Sequence, residues 1–526
     1  MILLHSDTPW INRLAPRIKD FLSQDILEVS IDGKNIRGYR SPDAQSIWIR
    51  DYSDMLRGVR YFENDVKSVV QHFADTQALN GRIFDYFTTY PEKKPCEREN
   101  WTKYVRVPVE ADVEYRFVKA AWLAWQATGD FPWIRKLLPH LERALFYLMT
   151  DDQRWDQDYQ LVKRPYTIDT WDFAYSAGKH EWLQFQIDKN TFWGIFHGDN
   201  TGLYEALICL SKICQTVDKP DKQNYYLQQA EKIKKRINKL CWNGRYYQHF
   251  IKLSDVEIPE CKEDIQLSLS NPMAVNRGIT DSAKAAAMFR EYQYRADETG
   301  VFAPWFSIEP PFPDGIFGDE KLIAGAYING GIFPLAGGEL ALAALENGFE
   351  KFGLEQLFKY ENLTSNGESY LWYFPDGKAS SIETSTSPDA TPTDGWGSSA
   401  MLIALIQGLC GIKDEGHSFR NLSFSPKWTA LGSKKAEFEI SYSATEAGIG
   451  YTYELTDNEM LFALKGEFEN IFAHILIPDQ ARVNGLKVDK QDVSYESCEL
   501  NDSAYIDFHL SQTVNPIIKI ELDTGT

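Results

Sequence analysis

Three short motifs, far apart in the chain, combine carboxyl groups with a cation and aromatic rings. They are Ile47-Trp48-Ile49-Arg50-Asp51, Thr170-Trp171-Asp172 and Asn366-Gly367-Glu368-Ser369-Tyr370. Cleavage of a glycosidic bond needs this set of groups: one protonated and one ionised carboxyl beside the scissile oxygen, and an aromatic face that holds the sugar ring. The motifs therefore indicate chemistry on a carbohydrate, which requires no metal and no cofactor.

Asp172 is the candidate general acid. It stands among bulky aromatics in Thr170-Trp171-Asp172-Phe173, where desolvation raises the pKa of a carboxyl and keeps a proton ready for the leaving group. Asp169, in the same motif, is a rival acid. The structural alternative is an ordinary loop or helix-capping aspartate.

Glu368 is the candidate general base. Gly367 frees the backbone before it, and the aromatics that follow, Tyr370 and Trp372, are expected to face a sugar. In this role the carboxylate ionises and orients a water molecule. Glu383 is an alternative base in the same connection, and an exposed loop glutamate is the structural alternative.

Arg50 and Asp51 place a planar donor beside an acceptor, a pair that can grip adjacent sugar hydroxyls, and Trp48 can stack on the ring. The structural alternative for Arg50 is a buried ion pair that joins the N-terminal segment to the rest of the chain, and for Asp51 or Asp54 it is a helix cap.

The other substrate-binding candidates are aromatic, amide and carboxyl groups near the same connections. Glu110 and Glu114 fall on one helical face and can accept from sugar hydroxyls or pair with Arg50 or Arg116. Structural use alone would also explain Asn329. The remaining candidates are the tryptophans Trp171, Trp305, Trp372 and Trp396.

The composition excludes several classes of partner. The chain has 526 residues and a formal charge of -20, which repels phosphate backbones and anionic lipid. Nucleic acid and membrane are therefore not expected as partners, and a carbohydrate substrate fits better. The aromatic share of 14% suits a sugar-binding cleft, although most of these rings belong in a core. The oligomeric state stays open.

The seven cysteines are widely spaced and include no Cys-x-x-Cys pair, so most are expected to be free thiols. The sequence shows neither a signal peptide nor an apolar run long enough to span a bilayer. These features favour the cytoplasm, with a periplasmic or secreted protein as the alternative if a signal has been removed.

Apolar residues follow a helical period from about residue 55 to 411. Helices rich in Ala, Leu and aromatics alternate with polar ones, which is typical of buried helices paired with solvent-facing ones. Such pairs closing into a ring would form an α/α barrel, that is, a toroid of helical hairpins. The predicted helices are Asp65–Ala78, Val109–Thr128, Trp133–Met149, Gly202–Val217, Lys222–Leu240, Asp281–Arg290, Phe333–Phe352 and Ser398–Leu409. Long connections at 85–108, 150–200, 294–331 and 362–397 carry the motifs, and loops of this length are usually functional.

After Gly411 the apolar period changes to two, as in Lys435–Tyr442, Gly450–Leu455 and Ile517–Leu522. This pattern predicts a small C-terminal antiparallel β-sandwich. The predicted division is an N-terminal extension at 1–45, an α/α barrel at 46–412 and the β-sandwich at 413–526. The extension is expected to hold a short helix and a strand pair around the Asp32-Gly33 turn.

Read in order, the motifs resemble those of the (α/α)6 six-hairpin glycosidases, a grouping that includes glucoamylases and trehalases. Trp48-Ile49-Arg50-Asp51 is similar to the Trp-x-Arg-Asp of glucoamylases, whose Arg-Asp pair binds the sugar. Thr170-Trp171-Asp172-Phe173 resembles the trehalase Gly-Trp-Asp-Phe and the glucoamylase Leu-Trp-Glu, which carry the general acid. Gly367-Glu368-Ser369-Tyr370, followed by Asp376-Gly377 and Thr393-Asp394-Gly395-Trp396-Gly397, resembles the order of residues around the glucoamylase base.

The resemblance covers about residues 45–411 and implies an inverting, exo-acting glycoside hydrolase. Asp172 would protonate the glycosidic oxygen and Glu368 would activate water on the opposite ring face, which requires the two carboxyls to lie about 6.5–9.5 Å apart. Because an aspartate acid resembles trehalases while the surroundings follow neither family closely, the resemblance implies no particular sugar or linkage.

Three other functions stay open on the same barrel. A disaccharide phosphorylase would use phosphate in place of water. The presence of Glu368 counts against this function, and so does the lack of an obvious cluster of cations. A sugar epimerase would use two inner-helix histidines, for which His180, His197 and His249 are the candidates. A non-catalytic glycan binder would keep only the aromatics. Metal catalysis is not favoured, because His180-Glu181 has no partner at ligand spacing.

Overall fold

The computed structural model describes residues 1–42, 44–88, 104–166, 168, 187, 189, 191–255, 257–258, 260–317, 320–381, 384 and 390–523. Within these ranges the chain forms twelve α-helices. They are α1 (Ile11–Gln24), α2 (Ile49–Val59), α3 (Ser68–Asp75), α4 (Val113–Thr128), α5 (Phe131–Leu148), α6 (His197–Thr216), α7 (Pro220–Leu240), α8 (Ser270–Asn276), α9 (Ser282–Thr299), α10 (Pro334–Leu345), α11 (Glu350–Leu363) and α12 (Gly395–Ile403). A wider, π-type turn at Ala404–Leu409 continues α12.

The even-numbered helices contact one another in a closed circuit. α2 packs on α4, α4 on α6, α6 on α8, α8 on α10, α10 on α12, and α12 returns to α2. The odd-numbered helices pack outside this circuit, with α7 against α6, α11 against α10, α5 against α4 and α1 against α12. We call the even-numbered set the inner helices and the odd-numbered set the outer helices.

Burial explains this arrangement. Every side chain of α2, α10 and α12 is buried, whereas the 21-residue α7 buries only Tyr226, Ala230, Ile233 and Ile237. A helix with apolar or paired side chains on all sides is stable only when it is surrounded, while a helix with one apolar stripe needs a single neighbour. The predicted alternation of buried and solvent-facing helices is confirmed.

Local signals set several helix ends. The carboxylates of Asp130 and Asp281 accept backbone N–H groups at the starts of α5 and α9, as N-cap aspartates do. Gly129 and Gly300 adopt left-handed backbone conformations at the ends of α4 and α9.

The strands are mostly short between the helices and long near the C-terminus. They are β1 (Ile2–Ser6), β2 (Ile26–Ile31), β3 (Lys34–Tyr39), β4 (Ile47–Trp48), β5 (Tyr86–Phe87), β6 (Tyr104–Val105), β7 (Trp155–Asp156), β8 (Leu161–Val162), β9 (Arg164–Pro165), β10 (Trp193–Phe196), β11 (Phe250–Lys252), β12 (Leu267–Ser268), β13 (Ile308–Glu309), β14 (Ile412–Asp414), β15 (Asn421–Phe424), β16 (Lys435–Ser441), β17 (Gly448–Leu455), β18 (Glu459–Lys465), β19 (Glu467–Leu476), β20 (Arg482–Val488), β21 (Gln491–Asp492), β22 (Glu496–Leu500), β23 (Ser503–Val514) and β24 (Ile517–Asp523).

The C-terminal part is built from two sheets. One has the strand order β1-β16-β17-β18-β24-β20-β21, and the other has the order β14-β15-β19-β23-β22. The expected β-rich C-terminal part is confirmed. The expectation of antiparallel pairing throughout is wrong at one place, because β15 pairs parallel to β19.

The N-terminal segment does not stand apart from the rest of the chain. β1 pairs antiparallel with β16, so that Leu4 lies opposite Phe438, and α1 packs on α12. The predicted strand pair around Asp32-Gly33 is confirmed as β2 and β3, with both turn residues at positive φ, as in a tight hairpin turn.

Some predicted helices differ from the observed ones. The predicted helix Phe333–Phe352 ends earlier, because α10 stops at Leu345 and a separate helix, α11, begins at Glu350, with Gly348 between them; most of α11 is additional to the prediction. This glycine has φ 76°, and a Cβ there would lie 2.3 Å from the carbonyl oxygen of Leu500, so the close approach of the C-terminal part requires a glycine. The short helices α2 and α8 are additional to the prediction.

The long connections contain small β-ladders where the sequence predicts irregular structure. β4, β5 and β6 form one ladder, and β9, β10 and β11 form another. The six cysteines in the described ranges are free thiols, as predicted. None of the helices in those ranges is long and apolar enough to cross a membrane.

Candidate functional site

The predicted motifs share one position relative to the helix circuit: each precedes an inner helix. Trp48 lies before α2, Glu110 before α4, position 172 before α6, Asn329 before α10, and Glu368 before α12. Because each outer helix carries the chain back, connections from an outer to an inner helix belong to the same end of the circuit. We call this end the N-terminal face, since the inner helices begin there.

Arg50 is the first charged residue of α2 and is held by two carboxylates. Its Nε and Nη2 donate to Asp112 at 2.6 and 2.7 Å, and Nη2 lies 2.6 Å from Glu110 Oε2. Burial alone would lower the pKa of Arg50, but Asp112 and Glu110 raise it well above its usual value. The buried ion pair, given above as the structural alternative for Arg50, is confirmed.

A second buried group joins α2 to α4 and α12. Asp54 accepts from Arg116 Nη1 at 2.7 Å and from Trp396 Nε1 at 2.9 Å, and Lys119 Nζ lies 3.3 Å away. Burial would raise the pKa of Asp54, but Arg116 and Lys119 hold it below its usual value. Asp54 therefore stays ionised and fixes three inner helices in place.

Further buried charges surround the starts of α4 and α6. Arg164 lies 3.3 Å from Glu110 and 3.7 Å from Asp199. Arg106 lies 3.1 Å from Glu114. Together with the groups around Arg50 and Asp54, these residues form one network of ion pairs in which each carboxylate faces a cation.

Asp85 is a distinct member of this network. It is 1% exposed and lies 3.8 Å from Arg106. Burial raises the pKa of Asp85 to about 6, against the opposing effect of Arg106 and Arg50. It is therefore a carboxyl that changes charge near neutral pH in the immediate surroundings of Arg50.

Asp112, Arg164 and Asp199 are members of this network that were not predicted as site residues. Asp112 lies just before α4, and Asp199 lies in the first turn of α6, so their position at the start of an inner helix was the available signal. Arg164 lies in β9, well before α6, and has no such signal.

Trp48 and Asp51 lie beside Arg50. Trp48 is partly exposed, and its ring lies 4.2 Å from that of Tyr86, centroid to centroid. Asp51 is in the first turn of α2 and is 5% exposed. Trp48 is therefore the candidate whose ring keeps accessible surface next to the charged network.

Glu368 lies in the loop between α11 and α12 and is partly exposed. Its Oε2 accepts from Asn366 Nδ2 at 2.8 Å and from the Tyr370 hydroxyl at 3.2 Å. These two donors are neutral, so they orient the carboxylate without neutralising it. A carboxylate with accessible surface and a fixed direction suits the activation of a water molecule.

The backbone next to Glu368 is anchored to the start of α12. Ser369 N–H donates to the Pro392 carbonyl, and Asp394 N–H donates to the Ser369 carbonyl. The Tyr360 hydroxyl lies 3.2 Å from Ser369 Oγ. The loop that carries Glu368 is therefore fixed to the N-terminal face.

Six of the predicted substrate-binding residues are buried: Arg50, Asp51, Glu110, Asn329, Trp372 and Trp396. Asn329 donates to the carbonyls of Phe312 and Leu322 and accepts from Phe312 N–H. Trp372 is 1% exposed and Trp396 is 4% exposed. Their contacts are those of structural residues, and their roles in binding stay predictions. Trp305 is also fully buried and donates to Gln356.

Several predicted residues lie outside the described residues. They are Asp169, Trp171, Asp172, His180 and Glu383.

The epimerase alternative would use histidines, and the two of its candidates that the structure describes, His197 and His249, are fully buried. His197 Nδ1 contacts the Gln248 carbonyl at 2.9 Å. Burial lowers the pKa of His197 to about 4, and it lowers the pKa of His249 well below its usual value. Two neutral, buried imidazoles do not suit proton transfer to a substrate in a cleft.

Neither protein-family models nor curated proteins give a match to this chain. Solved structures do. An α-L-rhamnosidase from Dictyoglumus thermophilum is 12% identical with a TM-score of 0.61, over 99% of this chain and 50% of its own. A GH63 mannosylglycerate hydrolase from Thermus thermophilus, in complex with glucose, is 13% identical with a TM-score of 0.53, over 74% of this chain and 99% of its own.

A third similar structure is an α-L-rhamnosidase from Aspergillus terreus, 10% identical with a TM-score of 0.55 over 97% of this chain and 50% of its own. The chain thus spans half the length of both rhamnosidases. At this level of identity the likeness concerns the fold alone. It agrees with the closed circuit of inner helices and supports the predicted toroid.

Proposed function

We propose that this protein is an inverting, exo-acting glycoside hydrolase in which Asp172 is the general acid and Glu368 the general base. The observation that carries the proposal is the position of the described motifs around Arg50 and Glu368, each of which precedes an inner helix at the N-terminal face. Residues from connections distant in sequence can meet there across a single cleft.

The charged network supports a sugar-binding site at this face. Arg50 uses Nε and Nη2 for Asp112 and Glu110, and within the described residues no hydrogen bond joins its Nη1. A guanidinium fixed on one side is a preorganised donor on the other. Arg50, Asp51 and Glu110 then bind the hydroxyls of the terminal sugar, and Trp48 supplies a stacking face.

The surroundings of Glu368 support its role as base. Asn366 and Tyr370 hold its Oε2, and no cation lies within 4 Å of it among the described residues. The carboxylate is therefore oriented by neutral donors and is not engaged in an ion pair with a described residue. Asp172, whose segment leads into α6, protonates the leaving oxygen from the other side of the sugar ring.

The substrate in this proposal is a glycoside or the end of an oligosaccharide. Two of the similar solved structures are an α-L-rhamnosidase and a mannosylglycerate hydrolase. The first substrates to test are therefore aryl α-L-rhamnosides and mannosylglycerate, followed by a panel of aryl glycosides and disaccharides.

The test is substitution of each carboxyl, assayed on the substrate that the panel identifies. Asp172→Asn and Glu368→Gln should each lower kcat by about 10²–10⁴-fold with folding intact. The matched controls Asp169→Asn and Glu383→Gln remove the rival carboxyls of the same motifs and should lower kcat by less than about tenfold. Full activity in Glu368→Gln would contradict the proposal.

The released anomer and the need for phosphate separate this function from its alternatives. NMR of the first product should show the anomer opposite to that of the substrate, because water attacks the far ring face. Retention of configuration would contradict the proposed mechanism. Turnover only in the presence of phosphate would identify a phosphorylase instead.

A further inference from the structure

A cavity of about 160 Å³ lies at the end of the helix circuit opposite the N-terminal face. All six inner helices, or the residues directly after them, contribute to its lining: Arg57 from α2, Gln126 from α4, Lys212 from α6, Asn276 from α8, Leu342 from α10 and Ile403 from α12. The cavity is therefore on the axis of the circuit. We call it the distal cavity.

The lining of the distal cavity has more cations than carboxylates. Its six cations are Arg57, Arg60, Lys119, Arg277, Lys212 and Lys413. Its four carboxylates are Glu205, Glu339, Asp414 and Glu415. Behind the lining, Asp54 contributes a further carboxylate, which is shared with Arg116. The excess of positive charge stands out in a chain whose formal charge is -20.

Arg60 is the clearest part of this excess. It is 2% exposed, and its guanidinium donates to Gln126 Oε1 at 2.6 Å and to the Tyr61 hydroxyl at 3.1 Å, both neutral partners. The carboxylate of Asp414 acts on it electrostatically, but among the described residues no carboxylate forms a direct ion pair with it. A buried guanidinium whose donors meet only neutral acceptors is costly unless a further anion compensates it.

Arg57 adds a second, incompletely used guanidinium. Its Nη1 lies 2.6 Å from Glu339 Oε1. Its Nη2 is buried, and no described residue accepts a hydrogen bond from it. Arg57 is 9% exposed and lines the cavity. An unsatisfied donor of this kind calls for an acceptor that the protein itself does not supply.

Two lysines lie at the mouth of the cavity. Lys212 and Lys413 both approach Glu415, at 3.3 and 3.1 Å, and the carboxylate of Glu346 also acts on Lys413. The two lysine side chains are 38% and 45% exposed. An anion that enters from solvent meets these two lysines first and the arginines behind them.

We propose that the distal cavity binds a compact oxyanion, with the phosphate group as the best fit. Arginine forks and lysine ammonium groups are the protein groups that recognise phosphate oxygens. Free phosphate and the phosphate of a sugar ester share this chemistry. The site is separate from the N-terminal face, and its occupancy does not depend on the proposed function.

The experiment measures binding of inorganic phosphate, glucose 6-phosphate and glucose to the full chain by calorimetry and thermal unfolding. At constant ionic strength, phosphate should bind saturably and raise Tm by about 1–3 °C at a large excess over Kd. If glucose 6-phosphate binds at least as tightly as phosphate, the ligand of the site is a sugar phosphate. If only inorganic phosphate binds, the ligand is the free ion. Either result supports the proposal.

Variants at the mouth separate a built site from general charge. Lys212→Met with Lys413→Met should weaken phosphate binding by at least about tenfold, and Glu415→Gln should strengthen it, because it releases both lysines. The control is Lys222→Met, which removes an α7 lysine that pairs with Glu142 of α5. This variant should leave phosphate binding unchanged. No saturable binding, equal binding of glucose, or equal binding by the double variant would overturn the proposal.

Discussion

Replacement of Asp25 by asparagine should stabilise the protein at neutral pH and not in acid. Asp25 ends α1 and is fully buried. Its Oδ1 accepts a hydrogen bond from Thr393 Oγ1 at 2.7 Å. Its Oδ2 lies so close to Gly395 that a Cβ added to this glycine would be only 2.6 Å away. Burial raises the pKa of Asp25 to about 7, against the opposing effect of Thr393 and Arg40.

The magnitude and sign follow from that pKa. Below about pH 4 the carboxyl is protonated in both the folded and the unfolded chain, and between about pH 4 and 7 only the folded chain keeps the proton. Stability is therefore lost as pH rises through this window. A pKa of about 7 against the ordinary 3.8 corresponds to about 4 kcal/mol in total, of which about 3 kcal/mol is lost between pH 4.5 and 7.5.

The assay compares the two proteins by urea unfolding, followed by tryptophan fluorescence, at several pH values from 4.5 to 7.5. The difference between Asp25→Asn and the parent should grow by about 3 kcal/mol across this range, because only the parent titrates at this position. Asp20→Asn, on the exposed side of α1, is the control and should give a flat difference. A flat difference for Asp25→Asn, or a destabilised variant at pH 7.5, would refute the reasoning.

Three further substitutions test the charged network and the close approach at Gly348. Asp54→Ala should destabilise the protein by about 3–5 kcal/mol in urea unfolding, because it leaves buried cations without their carboxylate. Gly348→Ala should lower the free energy of unfolding by more than about 2 kcal/mol, since the new Cβ would meet Leu500. The control Gly432→Ala, at a glycine with a similar φ and open space around it, should lower it by only about 1 kcal/mol. Arg50→Lys keeps the positive charge but loses the contact that two guanidinium nitrogens make with Asp112. This variant should lower Tm by a few degrees.

Local patterns predicted the parts of the fold that local forces determine. The polar face of α7 and the Asp32-Gly33 turn between β2 and β3 are visible in the sequence because one helix or one hairpin is enough to specify them. The position of Glu110 next to Arg50 was also foreseen, as one of two possible uses of that glutamate.

The parts that the sequence did not predict depend on distant partners. The predicted helix Phe333–Phe352 ran past the end of α10, and the break at Gly348 follows from contact with Leu500, more than 150 residues later. Asp54 reads as a helix cap, but its partners lie on α4 and α12. Long-range pairing of this kind leaves no periodic signal in a single sequence.

The pairing of β1 with β16 also affects the order of events during synthesis. Ile2 lies opposite Ile440, so β1 has no partner strand until β16, more than 400 residues later, has been translated. At about 5–20 residues per second this wait lasts on the order of half a minute or more. Over that time an unpaired edge is open to other nascent chains or to a chaperone.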